Sequence, residues 1–115
     1  MTDDYARRKI QVIREFLAAE YKSPYTVEAV IQGRDPLADT KFKIILNNNV
    51  ERILSVCAAL VLDSHPTPDQ LKTLLLSRGI MEKVRSSVEL RICHEDLGTD
   101  EQSYSKPIRT VRGIT

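Results

Sequence analysis

Val50-Glu51-Arg52-Ile53-Leu54-Ser55-Val56-Cys57-Ala58-Ala59-Leu60-Val61-Leu62 is the stretch on which the fold turns. A strand uses the apolar and β-branched density of Val50, Ile53, Val56, Cys57 and Val61. A helix uses Asn48 as a cap, Glu51 three residues on in a capping-box pattern, and the helix-forming Ala58, Ala59 and Leu60. The neighbouring segments favour the strand, because they supply only a two-stranded hairpin, and a third strand makes a sheet that is stable by itself.

Upstream, residues 40–46 alternate Lys41 and Lys43 with Phe42 and Ile44, and Asn47-Asn48-Asn49 breaks the run. Asparagine tolerates the left-handed backbone of a tight turn, so a hairpin is expected there. Residues 25–32 read as a strand, with Val27, Ala29 and Ile31 on one side and Thr26, Glu28, Val30 and Gln32 on the other. Gly33-Arg34-Asp35-Pro36 has turn chemistry. Residues 4–21 read as a helix, since Ile10, Ile13, Leu17 and Tyr21 recur at helical spacing and Val12, Phe16 and Ala19 widen the stripe. Thr2, Asp3 and Asp4 suit its start, and Pro24 limits its end.

Downstream, Thr67-Pro68-Asp69-Gln70 opens a helix, with Thr67 as cap, Pro68 at the first position and Gln70 closing a capping box. Leu71, Leu74 and Leu75 follow, and Gly79 ends or kinks the helix. Residues 80–95 also read as helical. Ile80, Met81, Val84, Val88 and Ile92 share one arc, and Arg78, Glu82, Arg85 and Glu89 share a second, solvated one. A strand over Val88–Ile92 is the competing reading and accounts for fewer residues.

The expected fold class is therefore α+β: a helix, a three-stranded antiparallel sheet, then one long or broken C-terminal helix. The alternative has residues 49–63 helical and a mostly α fold. Residues 1–97 form a single domain, and 98–115 a polar C-terminal tail. The order resembles that of double-stranded-RNA-binding domains. That resemblance implies RNA binding through a lysine-rich cluster at the start of the second long helix, where this chain reads Thr67-Pro68-Asp69-Gln70.

Composition narrows the function classes. The 115 residues suit one domain, and 17 Lys and Arg against 16 Asp and Glu give a net charge of +1, with no global pull toward polyanions. The longest apolar run is Val56–Leu62, far below the roughly 20 residues of a membrane span, and the N-terminus has no secretory pattern. A cytoplasmic location without membrane association is expected. Two cysteines are too few for a disulfide framework; Cys57 reads as a small buried residue and Cys93 as a surface one.

No motif carries specific chemistry. Cys57, His65, Cys93 and His94 lack the paired spacing of a zinc site, and the four glycines are isolated, so there is no phosphate loop. Paired acids fall at helix ends and in the tail, where capping and solubility account for them. A helix-turn-helix about Gly79 places Arg78 and Arg85 badly. No catalytic residue, metal or cofactor is expected.

Two binding surfaces follow from the layout. A sheet with one open face presents Val30, Ile45, Leu54 and Val56 as candidate partner-binding residues, and its edges can pair with another chain. The leading expectation is a non-enzymatic protein-interaction module, a self-associating regulator or adaptor acting as a dimer or with a protein partner. The alternative is a nucleic-acid-binding regulator using Arg7, Arg8, Lys9 and Arg14 of the first helix, Lys41 and Lys43 of a strand, and Lys106, Arg109 and Arg112 of the tail.

Overall fold

The structure is a computed structural model and describes residues 2–31 and 38–99. Helix α1 (Thr2–Glu20) leads into strands β1 (Thr26–Val30), β2 (Thr40–Leu46) and β3 (Asn49–Val56). Helices α2 (Ala58–Leu62), α3 (Pro68–Ser77) and α4 (Ile80–Arg85) follow, then strand β4 (Glu89–Ile92) and a short 3-10 turn, His94–Leu97. The class is α+β, but the sheet has four strands in the order β1-β2-β3-β4. The first three are antiparallel, and β4 runs parallel to β3. A parallel neighbour requires a crossover connection, and α2, α3 and α4 provide it.

The decisive stretch splits between its two readings. It pairs with β2 as far as Val56 and coils into α2 from Ala58, where Ala58, Ala59 and Leu60 replace the β-branched residues. Asn47 and Asn48 both take positive φ, 53° and 66°, the geometry of a two-residue hairpin turn whose twist matches that of the strands. Glu51 is the extra residue of a bulge, since Ile44 faces Arg52 while Ile45 faces Val50.

The expected helix over 80–95 is corrected. It stops at Arg85, and residues 89–92 become β4. In the last helical turn both the Ser86 hydroxyl, at 2.8 Å, and the Ser86 N–H, at 3.2 Å, donate to the carbonyl of Glu82. The Arg52 guanidinium donates to the carbonyl of Ser87 at 2.6 Å, holding the turn that reverses the chain. Strand β3 has a second edge to satisfy, and β4 takes it, with Ile53 N–H donating to Val88 and Cys57 N–H to Ile92. Val88, assigned to the apolar helical arc, is instead 75% exposed. The fourth strand also departs from the double-stranded-RNA-binding layout, which ends on a helix.

The core lies between one face of the sheet and the helices. Phe42, Ile44, Leu54, Val56 and Ile92 project from the strands, and Ile13, Leu17, Leu60, Leu71, Leu75 and Ile80 meet them. The opposite face carries Glu28, Lys43, Ile53 and Glu89 in one row across the sheet, and Val30, Lys41, Ser55 and Arg91 in the next. The box at Thr67 forms as expected: its hydroxyl accepts from Gln70 N–H at 3.2 Å, and the Gln70 side chain accepts from Thr67 N–H at 2.9 Å. Gly79, between α3 and α4, has a φ of 65°, a conformation costly for any residue with a Cβ.

Cys57 and Cys93, expected to be apart, are joined by a disulfide with their Cα atoms 5.1 Å apart. Val56 and Ile92 are partners in the parallel ladder, so each cysteine follows directly at the same end of neighbouring strands. No helix among the described residues is long and apolar enough to cross a membrane.

Candidate functional site

Between α1, α3 and α4 the helical layer opens into a groove of about 480 Å³. Its walls are Val12, Phe16 and Ala19 from α1, Leu76 from α3 and Met81 from α4. Phe16 and Met81 are partly buried against the core, whereas Leu76 is 65% exposed. Helical geometry produces this surface. Val12, Phe16 and Ala19 belong to the wide apolar stripe of α1, but Ile13 and Leu17 are its fully buried members, whereas Val12 and Phe16 are only partly buried. The flank of the stripe is left over, and the bend at Gly79 sets α4 beside it.

Charges border the groove. One end is bridged by Arg85, whose guanidinium lies 2.9 Å from the Glu20 carboxylate. The hydrogen bond from Arg85 is the largest influence on Glu20 and holds its carboxyl below the usual carboxylate range. Further along, Glu15 stands on the α1 rim and Lys72 on the α3 rim. Glu15 accepts a hydrogen bond from Gln11 at 2.8 Å. Neither Glu15 nor Lys72 has an ion-pair partner among the described residues.

The residues expected to bind a partner fall on different sides of the sheet. Val30 and Ile45 are partly buried on the open face, as expected. Leu54 and Val56 are corrected: both are fully buried in the core, because their register places them beside Phe42 and Thr40 on the helix-covered face. Ile53 and Val50 take their place on the open face. That face is broken up by Lys41, Lys43, Glu28, Glu89 and Arg91, so its apolar residues do not form a continuous strip.

Among the described residues, the candidate cations do not gather on one surface. Lys9 is corrected, being fully buried; its ammonium donates to the carbonyls of Leu60 at 2.9 Å and Asp63 at 2.6 Å. Burial pushes its pKa down to about 8, and the Asp63 carboxylate pulls the other way. Arg7, Arg8 and Arg14 are exposed on α1, with Arg8 over the Tyr5 ring at 5.7 Å. Lys41 and Lys43 project from the opposite side of the sheet, and Lys106, Arg109 and Arg112 lie outside the described residues. The six-residue α4 followed by a strand does not make a helix-turn-helix.

The arrangement richest in catalytic residue types is Asp63, His94 and Thr99. His94 Nε2 is 2.9 Å from Asp63 Oδ2, and its Nδ1 is 3.3 Å from Thr99 Oγ1. Nucleophilic catalysis needs an accessible hydroxyl. Thr99 is buried, and its hydroxyl also donates to the carbonyl of His94 at 3.4 Å. The three groups therefore act as a clamp that ties the segment after β4 to the end of α2. No three His, Cys, Asp or Glu side chains among the described residues come together as a cation site.

The sequence pattern places Val12, Phe16 and Ala19 on the apolar stripe of the first helix, but it does not single out Leu76, Lys72 or Glu15. The available signal was that the α1 stripe is wider than one sheet contact can cover. Comparison with protein families, curated proteins and solved structures finds no match for this chain.

Proposed function

We propose that this chain is a non-catalytic protein-interaction module, an adaptor or regulator that docks a protein partner in the groove between α1, α3 and α4. The observation that carries the reading is the exposed Leu76 lining one groove with the partly buried Phe16 and Met81. Apolar anchors in a concave, charge-rimmed surface are how helices and side-chain knobs are recognised by proteins. The open sheet face is a poorer surface, because charged side chains separate its apolar ones. The nucleic-acid alternative rests on the exposed Arg7, Arg8 and Arg14, without Lys9.

Selection of helical peptides from a random library against the folded chain tests the reading. Binders are mapped by amide chemical shifts and retested against Leu76→Asp. Peptides that shift α1, α3 and α4 and lose binding to Leu76→Asp are the expected result. Binders that map to the open sheet face, or a library that yields none, would overturn it.

A further inference from the structure

We infer that the occupant of the groove is a second copy of this chain, related by a two-fold axis running along the groove; the inference rests on the docking reading above. The two rims have opposite charge. Glu15 and Glu20 stand on the α1 side, and Lys72 and Arg85 on the side of α3 and α4. A two-fold axis lying in the interface along the groove exchanges the rims, so the α1 rim of each copy faces the α3–α4 rim of the other. Glu15 of one copy then meets Lys72 of the other, and the contact occurs twice, as an isologous interface requires.

Glu20 and Arg85 already satisfy each other at 2.9 Å, so they close one end of the groove and leave Glu15 and Lys72 as the pair available for an outside partner. The apolar surface obeys the same symmetry. Leu76, 65% exposed, rises on the α3 rim; the two-fold lays it over Val12 and Phe16 of the other copy. Knob and socket thus sit side by side on one surface, each complementary to its own image. A partner with a single charge sign would leave one rim facing its like, whereas a second copy answers both.

Charge exchange provides the test. Sedimentation equilibrium measures the association of the wild type, of Glu15→Lys, of Lys72→Glu, of the variant carrying both, and of an equimolar mixture of the two single variants. Circular dichroism verifies that each variant is folded; both side chains are exposed. The wild type is expected to dimerise. Each single variant places like charges opposite each other twice, and should dissociate about ten to thirty times more readily. The mixture and the double variant restore opposite charges at both contacts and should recover wild-type association. A wild type that stays monomeric, or single variants that associate unchanged, would overturn the second copy. If peptides still map to the groove in that event, docking there stands with a different occupant. If they map elsewhere as well, both readings fall.

Discussion

The ammonium of Lys9, a fully buried residue of the first helix, donates to the backbone carbonyl of Asp63 at 2.6 Å, across 54 residues of sequence. This contact, with a second to Leu60, fastens α1 to the end of α2. Carbonyls near a helix end lack intrahelical donors, and Lys9 supplies them from a neighbouring element.

Stability should therefore rise between about pH 8 and pH 10.5. The folded lysine releases its proton near 8, whereas the unfolded one holds it to about 10.5. In that window the unfolded state binds more protons, so raising the pH favours the folded state, at no more than about 1.4 kcal/mol per pH unit. A neutral amine keeps two N–H donors, enough for both carbonyls. Urea unfolding at stepped pH measures the rise, on the order of 2–3 kcal/mol in all. Lys9→Met should remove it, which separates it from tyrosine titration. An identical slope in that variant would reject the assignment.

The clamp formed by Asp63, His94 and Thr99 should be worth more than a surface contact. His94→Leu strands the Asp63 carboxylate and the Thr99 hydroxyl, and should cost about 1–3 kcal/mol in urea unfolding. Asp63→Asn keeps an acceptor for His94 and should cost less. It also removes the carboxylate that raises the pKa of Lys9, so the stability rise should begin at lower pH in that variant. An unmoved onset would mean that the two groups are uncoupled.

The Cys57–Cys93 bond closes a loop spanning 36 residues of sequence. Constraining a loop of that length in the unfolded chain stabilises the fold by about 3–4 kcal/mol. Denaturant midpoints with and without dithiothreitol measure this, and a Cys57→Ala, Cys93→Ala variant should match the reduced protein. Equal midpoints in both conditions would show that the bond contributes nothing.

Legibility of the fold followed the range of the signal. The Thr67–Gln70 box, the left-handed Asn47 and Asn48, and the alternation of Lys41, Phe42, Lys43 and Ile44 each act over a few residues, and each formed as expected. Val88–Ile92 satisfies both periods: Val88 and Ile92 are four apart, as on a helix, and Leu90 and Ile92 two apart, as on a strand. The choice depends on the unpaired edge of β3, which lies more than thirty residues away. Lys9 read as one of three consecutive cations, because nothing local indicates that carbonyls of α2 lie above it.

By itself the sequence determined the first helix, the first two strands with the asparagine turn after them, and the start of α3, because capping, turn chemistry and alternating hydrophobicity are properties of contiguous residues. Tertiary structure alone decided the fourth strand, the burial of Lys9, the meeting of Cys57 with Cys93, and the groove under Leu76. Each of these depends on which surfaces and backbone groups remain unsatisfied after the local elements form, and that is a property of how the elements pack against one another.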